Sequence, residues 1–398
     1  MIHKFILFLV LGVDAFVLLF QTSVVSISYD EALFLYGDIS FLQLLIKTSL
    51  NFFGQNDFAL RLPMIVLHIS SALLLYKISK KYLIDAQSRL WLVVVFVLLP
   101  GVISSALLVN SAGLVIFGLL VFVYIYENYA ANARYIFLFT LCLIDSDFAY
   151  LFLALIFYGL YIKDKIMIGI SSILFLLSVY FYGLDIYGMP SGYFLDIIGI
   201  YSAVFTPIVF IYLFYVLYRR YFTKDIDLLW FVATTALVFS ILLSFRQRVD
   251  IEHFAPYVIL ALPLAARTFV NSYRVRLRVF RRNYRNIFTV SLIFLFCNAL
   301  LVFFNKELYL FVENPKTHFA YKMHIAKEVA EKLQEQGIDC IHTDKELALR
   351  LRFYGVHNCD SYILKEKELN DLSNENDVTI SYKNRHIFNS YVTKVNKL

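Results

Sequence analysis

The residues with reactive side chains fall into a few clusters separated by long apolar stretches. Asp30 and Glu31 stand side by side after the first apolar run, Asp38 follows, and Arg61 lies within Phe58-Ala59-Leu60-Arg61-Leu62-Pro63. Further along come Asn110, Asp145 and Asp147, then Arg246, Arg248, Asp250, Glu252 and His253, with Tyr257 close behind. A carboxylate at the mouth of a helix can act as general base toward a hydroxyl or amine, or help hold a divalent metal ion. The planar fork of an arginine suits a phosphate and can stabilise charge on a departing oxygen. By residue type alone Asp30 is a candidate for the base or a metal-positioning carboxylate, and Glu31 for shaping that site or sharing the metal. Arg61, Arg246 and Arg248 are the candidates for a phosphate, and Asp38, His253 and Tyr257 for substrate contacts. Each has a plainer alternative. An Asp-Glu pair can simply cap a helix start, and interfacial arginines can reach lipid headgroups or pair with Asp250 or Glu252.

These residues must be positioned by elements that are overwhelmingly apolar. Of the 398 residues, 60% are hydrophobic and 17% charged, against roughly 25% charged in an ordinary soluble domain. Mean hydropathy is +0.69. Apolar runs of about 17–25 residues recur, each long enough to cross ~30 Å of hydrocarbon as a helix. Alternating ten-residue segments of the kind that build a membrane barrel are absent. The pattern predicts spans near 5–25, 63–78, 90–108, 112–126, 135–145, 147–162, 166–182, 196–218, 228–244, 254–270 and 287–304, an all-α polytopic membrane protein with about eleven helices. Val24-Val25-Ser26 is a poor cleavage site, so the first run is expected to stay as a span. The fifth and sixth spans share the hairpin Asp145-Ser146-Asp147, because one long helix would hold two unpaired carboxylates at mid-membrane.

Lys and Arg concentrate in cytoplasmic loops of membrane proteins. With the N-terminus inside, the inner loops hold eighteen basic residues, including seven arginines from Arg267 to Arg285, and the outer loops only Lys47, Arg61, Arg246 and Arg248. The net charge of +6 is thus explained by topology, and no nucleic-acid role follows. The reactive residues gather at the outer ends. Asp14 and His68 lie inside spans and are expected to make structural hydrogen bonds, and the basic run to anchor topology against anionic headgroups.

Residues 305–398 carry 14 basic and 14 acidic residues and no spanning run. Ala326, Val329, Ala330 and Leu333 recur at helical spacing before Gly337, a helix stop. Ile338–His342 and Val378–Tyr382 read as strands, and Thr343 with Glu346 as a capping box opening a helix that ends near Gly355. A small α/β domain outside the membrane is predicted, giving a division into 1–304, with a first outer loop at 26–62, and 305–398. Cys340 and Cys359 can pair in an oxidising compartment or remain buried thiols.

The stretch from Tyr29 to Leu83 resembles the N-terminal signature of the GT-C glycosyltransferases, nearest the lipid A aminoarabinose transferases and protein O-mannosyltransferases. Asp30, Glu31, Phe53, Gly54, Asp57 and Phe58–Pro63 match that signature in kind and order. Pro100 to Ala112 resembles the family's helix pair closed by Asp-x-Pro, with Asn110 in place of the Asp. Phe194–Tyr218 and His253–Ala266 resemble later family spans, and Glu346–Val356 a segment of their outer C-terminal domains. Gly37-Asp38-Ile39-Ser40-Phe41 stands where many relatives carry His-Pro-Pro or Lys-Pro-Pro.

The resemblance implies a GT-C fold, a polyprenyl-phosphate sugar donor, an envelope glycolipid, glycan or protein as acceptor, and transfer at the outer face of the inner (plasma) membrane. A divalent metal is a possible cofactor. No Gly-x-x-x-x-Gly-Lys-Ser/Thr loop and no Gly-x-Gly-x-x-Gly after a strand is present, as suits a lipid-linked donor that needs no nucleotide-binding domain. The alternatives are a lipid-linked glycan flippase or transporter, which would place polar residues near mid-membrane beside broken helices, and a non-catalytic relative.

Overall fold

The computed structural model describes residues 2–183, 192–367, 377–383 and 385–394. It is a helical, multi-pass membrane protein with one small sheet. In chain order, α1 (Ile2–Val24) is followed by α2 (Tyr29–Tyr36), α3 (Phe41–Phe53), α4 (Asp57–Ile78), α5 (Ala86–Leu98) and α6 (Pro100–Leu107). Next come α7 (Ser111–Asn128), α8 (Ala131–Ile144), α9 (Ala149–Ile162), α10 (Lys165–Tyr182), α11 (Phe194–Phe205) and α12 (Pro207–Thr223). The remaining helices are α13 (Leu228–Ser244), α14 (Ala255–Ile259), α15 (Leu262–Val275), α16 (Arg278–Phe303), α17 (Ala326–Glu335) and α18 (Lys345–Phe353). Strands β1 (Tyr362–Glu366), β2 (Asp377–Tyr382) and β3 (Arg385–Lys394) end the chain.

Two compact units form. The first comprises residues 1–15, 64–106 and 110–299, and the second 16–63, 107–109 and 300–398. This corrects the predicted boundary. The loop after the first span belongs with the C-terminal tail rather than with the helix bundle, because its polar backbone and side-chain groups find their partners there.

In the first unit, α9 packs on α10 and α13, α7 on α8 and α14, and α15 on α5 and α12. The core is a continuous apolar cluster that includes Phe96, Phe122, Phe152 and Leu237. Phe5, Phe8, Ile173, Leu176, Val290 and Ile293 point out of the unit. So many large apolar side chains on long apolar helices are the signature of a lipid-facing surface. Five described helices are long and apolar enough to cross a membrane unaided: α1, α4 with its short extension to Lys81, α7, α10 and α16. The others are shorter or broken.

The predicted hairpin at Asp145 is present, with α8 and α9 as separate helices. The predicted spans 90–108 and 196–218 are each two helices, bent by 64° at Leu99/Pro100 and by 107° at Thr206/Pro207. Proline expels the preceding residue from helical geometry. Leu99 accordingly takes ψ 127°, while Thr206 takes φ 65°, a costly conformation for a β-branched residue. Inside this unit Asp14 and His68 meet, Nε2 to Oδ2 2.7 Å, His68 buried and Asp14 half-buried, with the imidazole stacked on Phe96. Each supplies the partner that the other needs in hydrocarbon.

The tail of the second unit is α/β as expected, with details that differ. The sheet order is β1-β3-β2, antiparallel throughout. Residues 338–342 form isolated bridges to His357 and Ile363 rather than a strand. The cap of α18 is Asp344, whose side chain accepts from the Glu346 N–H, and not Thr343. Gly337 ends α17 at φ 72°, with Ile338 N–H bonded to Leu333 O and Gly337 N–H to Gln334 O. That paired bonding satisfies the last carbonyls of the helix, and a left-handed residue without a Cβ permits it. Cys340 and Cys359 form a disulfide. Closing a loop of this size stabilises a fold by about 3 kcal/mol. Cys359→Ser is expected to destabilise the tail by that amount, read as earlier unfolding of residues 326–394 by hydrogen exchange on the full-length chain; no change in protection would contradict it.

Candidate active site

The Asp-Glu pair opens α2, and its two carboxylates have opposite fates. Ser28 is the N-cap, accepting from the Glu31 N–H, while Glu31 Oε2 accepts from the Ser28 N–H at 2.8 Å, a complete capping box. Glu31 is 1% exposed and also takes Arg61 Nε at 3.0 Å, Arg61 Nη2 at 2.9 Å and the Val109 N–H at 3.0 Å. Four bonds fill its lone-pair positions. One residue earlier on the helix, Asp30 is exposed, and its carboxylate makes no hydrogen bond or ion pair among the described residues.

Arg61 corrects the phosphate expectation. It is fully buried, and its five N–H groups serve Glu31 twice and the carbonyls of Thr22, Val25 and Ser26. A guanidinium has five donors, so none remains for a ligand. Arg61 and Glu31 instead lock the end of α1, the start of α2 and the first turns of α4 to one another.

Asp57 and Tyr354 extend this lock within the same unit. The Tyr354 hydroxyl donates to Asp57 Oδ1 at 2.6 Å and accepts from the Ile27 N–H at 2.9 Å. Lys327 Nζ lies 3.1 Å from Asp57 Oδ2. Burial, with the Asp57 carboxylate adding, drives the Tyr354 hydroxyl well above its usual range, so it stays protonated and donating. Ser26 bonds the Met323 carbonyl through both N–H and Oγ. The tail therefore holds both ends of the loop that carries Asp30. Neither Tyr354 nor Lys327 was singled out from sequence as touching this loop; the Phe353-Tyr354 pair in the tail segment of the resemblance was the one available signal. Asp38 is exposed beyond α2, with no partner among the described residues.

In the first unit a second polar group forms around Asp147. Ser111 Oγ donates to Asp147 Oδ2 at 2.9 Å, and the Asp147 N–H to Asp145 Oδ1 at 2.9 Å. His253 Nδ1 approaches Asp147 Oδ1 to 2.6 Å, a charge contact rather than an aligned hydrogen bond. Burial first, then the Asp147 charge, pushes the Asp145 carboxyl up to about 6. Burial alone would lower His253; the Asp147 carboxylate, with Asp250 and Glu252, overrides it and pushes the imidazole up to about 9. The ring is 40% exposed, so water screens part of that gain. Asn110 caps α7 through its own side chain, accepting from the Gly113 N–H.

Tyr257 is buried and donates to the Asp147 carbonyl at 2.6 Å. It is a brace for this group and offers no surface to a substrate, contrary to the sequence expectation. Arg246 and Arg248 are both exposed; Arg246 has a partner, and Arg248 has none among the described residues. No group of three or more His, Cys, Asp or Glu is placed to hold a metal ion among the described residues. With Glu31 fully engaged, the residues around Asp30 do not fit a metal site.

The fold is shared with proteins of known structure. The crystal structure of ArnT from Cupriavidus metallidurans in the apo state superposes with a TM-score of 0.58 at 12% identity, covering 90% of this chain and 85% of that one. ArnT from the same organism bound to undecaprenyl phosphate gives a TM-score of 0.56 at 12% identity, covering 96% and 97%. No protein-family model and no curated protein matches the chain. The chain has the GT-C fold that its sequence resemblance implied.

Two measurements test the assignments. Arg61→Leu leaves Glu31 buried without its cation and is expected to cost about 3–5 kcal/mol, seen as a large fall in Tm; an unchanged Tm would refute the structural role. For His253, folded-state protonation is favoured over an unfolded value near 6.5. Its stabilisation is present below that pH and lost as pH rises through about 9. The Tm difference between wild type and His253→Gln should shrink across that interval, and a difference that grows with pH would be the wrong sign.

Proposed function

We propose that this protein is a membrane glycosyltransferase that moves a sugar from a polyprenyl-phosphate donor to an envelope glycolipid, glycan or protein. The observation that carries the reading is the division of labour at α2. Glu31 and Arg61 are spent on structure, and the adjacent Asp30 carboxylate is exposed and has no partner among the described residues, on a helix fixed in place. A carboxylate so held is pre-organised to take a proton without first breaking a bond of its own. The shared fold, and the undecaprenyl phosphate bound by ArnT, support a lipid-phosphate donor.

In this mechanism Asp30 accepts the proton of the acceptor hydroxyl or amine as its oxygen or nitrogen attacks the anomeric carbon. The bond from that carbon to the phosphate oxygen breaks, and polyprenyl phosphate leaves with the electron pair. Arg246 and Arg248 are proposed for the phosphate from their residue type. Glu31 acts as a positioning residue. Asp38 and His253 are proposed substrate contacts. No step is assigned to a metal.

The charge ledger supports a location in the inner (plasma) membrane with the N-terminus cytoplasmic and the tail outside. Transfer would then occur at the outer face. The test is transfer of radiolabelled sugar from a panel of polyprenyl-phosphate sugars to extracted envelope acceptors, by purified protein in lipid. Asp30→Asn should retain the wild-type Tm and lose activity by about 10²–10⁴-fold, the usual contribution of a general base. Full transfer by that variant would remove Asp30 from the mechanism. No turnover of any donor by folded wild type would favour a transporter or a non-catalytic relative.

A further inference from the structure

A cavity of about 630 Å³ opens among α5, α12, α15 and α16 of the first unit, within the roughly 300–1,000 Å³ range of ligand sites. Its composition is graded along its length. Val95, Ile208, Leu262 and Leu295 line it toward one end of these helices, and Asp85, Arg274, Tyr284 and Arg285 toward the other, which we take as its mouth. Arg274 is ion-paired with Asp85. Arg285 is exposed, and its guanidinium makes no hydrogen bond or ion pair among the described residues. Aromatic rings line the side wall, where Phe269 lies 5.0 Å from Phe288 and Trp91 5.9 Å from Phe288 between ring centres.

Depth and charge together select an occupant. From Asp85 to Val95 the wall climbs about ten helical residues, or ~15 Å, which is half of the ~30 Å hydrocarbon thickness. That is the reach of an acyl chain in one leaflet, whereas a polyprenyl chain is much longer. The mouth lies on the arginine-rich segment 267–285, the side that charge bias assigns to the cytoplasm. Basic pockets between membrane helices on that side suit anionic headgroups.

We propose that this cavity is a binding site for an anionic phospholipid of the cytoplasmic leaflet, its acyl chain at the apolar end and its phosphate on Arg285. The site rests on the membrane-spanning fold and on the charge-bias orientation, and is independent of the transferase mechanism. It gives the arginine-rich segment 267–285 a defined ligand in place of a diffuse attraction to the membrane surface.

Native mass spectrometry of the full-length protein released from mixed phosphatidylglycerol and phosphatidylcholine bilayers tests it. Wild type should retain phosphatidylglycerol in preference to phosphatidylcholine. Arg285→Gln should weaken phosphatidylglycerol retention about fivefold, the factor equivalent to roughly 1 kcal/mol per interfacial basic residue, and leave phosphatidylcholine retention unchanged. Ala266→Phe, which fills the cavity, should remove both; Ser291→Leu serves if that variant does not fold. Equal retention of the two lipids by wild type, or an Arg285→Gln variant identical to wild type, would overturn the proposal. Displacement of phosphatidylglycerol by equimolar polyprenyl phosphate would overturn the choice of occupant. The readout is lipid retention, so its failure is distinct from any failure of sugar transfer.

Discussion

A guanidinium and a carboxylate removed from water each cost several kcal/mol unless every donor and acceptor is matched. Arg61 and Glu31 achieve that match with all five N–H groups and four acceptor positions. The carbonyls involved lie at the end of α1, the acceptors at the start of α2 and the donors on α4, so the pair cannot form unless three segments arrive together. Most of the second unit follows from it. The orientation of α2 determines that residue 30 faces outward while residue 31 faces inward, because successive helical positions point about 100° apart. The chemistry attributed to Asp30 thus depends on a neighbour that takes no part in it.

The tail adds a second layer of the same logic. Tyr354 can serve Asp57 and Ile27 at once because a hydroxyl both donates and accepts. Gly355, at φ 88°, turns the chain immediately after it. Its Val356 N–H bonds back to Leu351 O and its own N–H to Arg352 O, the same helix ending seen at Gly337. An α/β segment anchored in this way holds the loop between the first two long helices.

In the bundle hydrocarbon offers no partners, so several polar groups pair within it, while the buried hydroxyls of Ser171, Ser178, Thr206 and Thr234 have none among the described residues. Asp14 finds His68, and Ser71, Thr140 and Ser291 return their hydroxyls to carbonyls of the preceding turn. The breaks at Pro100 and Pro207 follow the bias of proline against a helical residue before it, a bias that α4 overrides at Pro63. Their bend angles come from packing, with Gly101 lying so close to Val204 that a Cβ there would clash.

The sequence by itself determined the membrane class, the separation of α8 from α9, the α/β character of the tail and the stop at Gly337. These depend on local composition and on residues a few positions apart, which a chain carries wherever it folds. It also presented Asp30 and Glu31 as a pair, and Arg61 as a free cation, because adjacency and residue type were all it could display. Tertiary structure decided which of them is available. Burial and the count of filled hydrogen-bond positions are properties of segments far apart in the chain: Val109 meets Glu31, Tyr354 meets Asp57, and Asp147 meets His253 and Tyr257. No spacing rule encodes those meetings, so the roles of Arg61 and Tyr257 became visible only when their partners were in place.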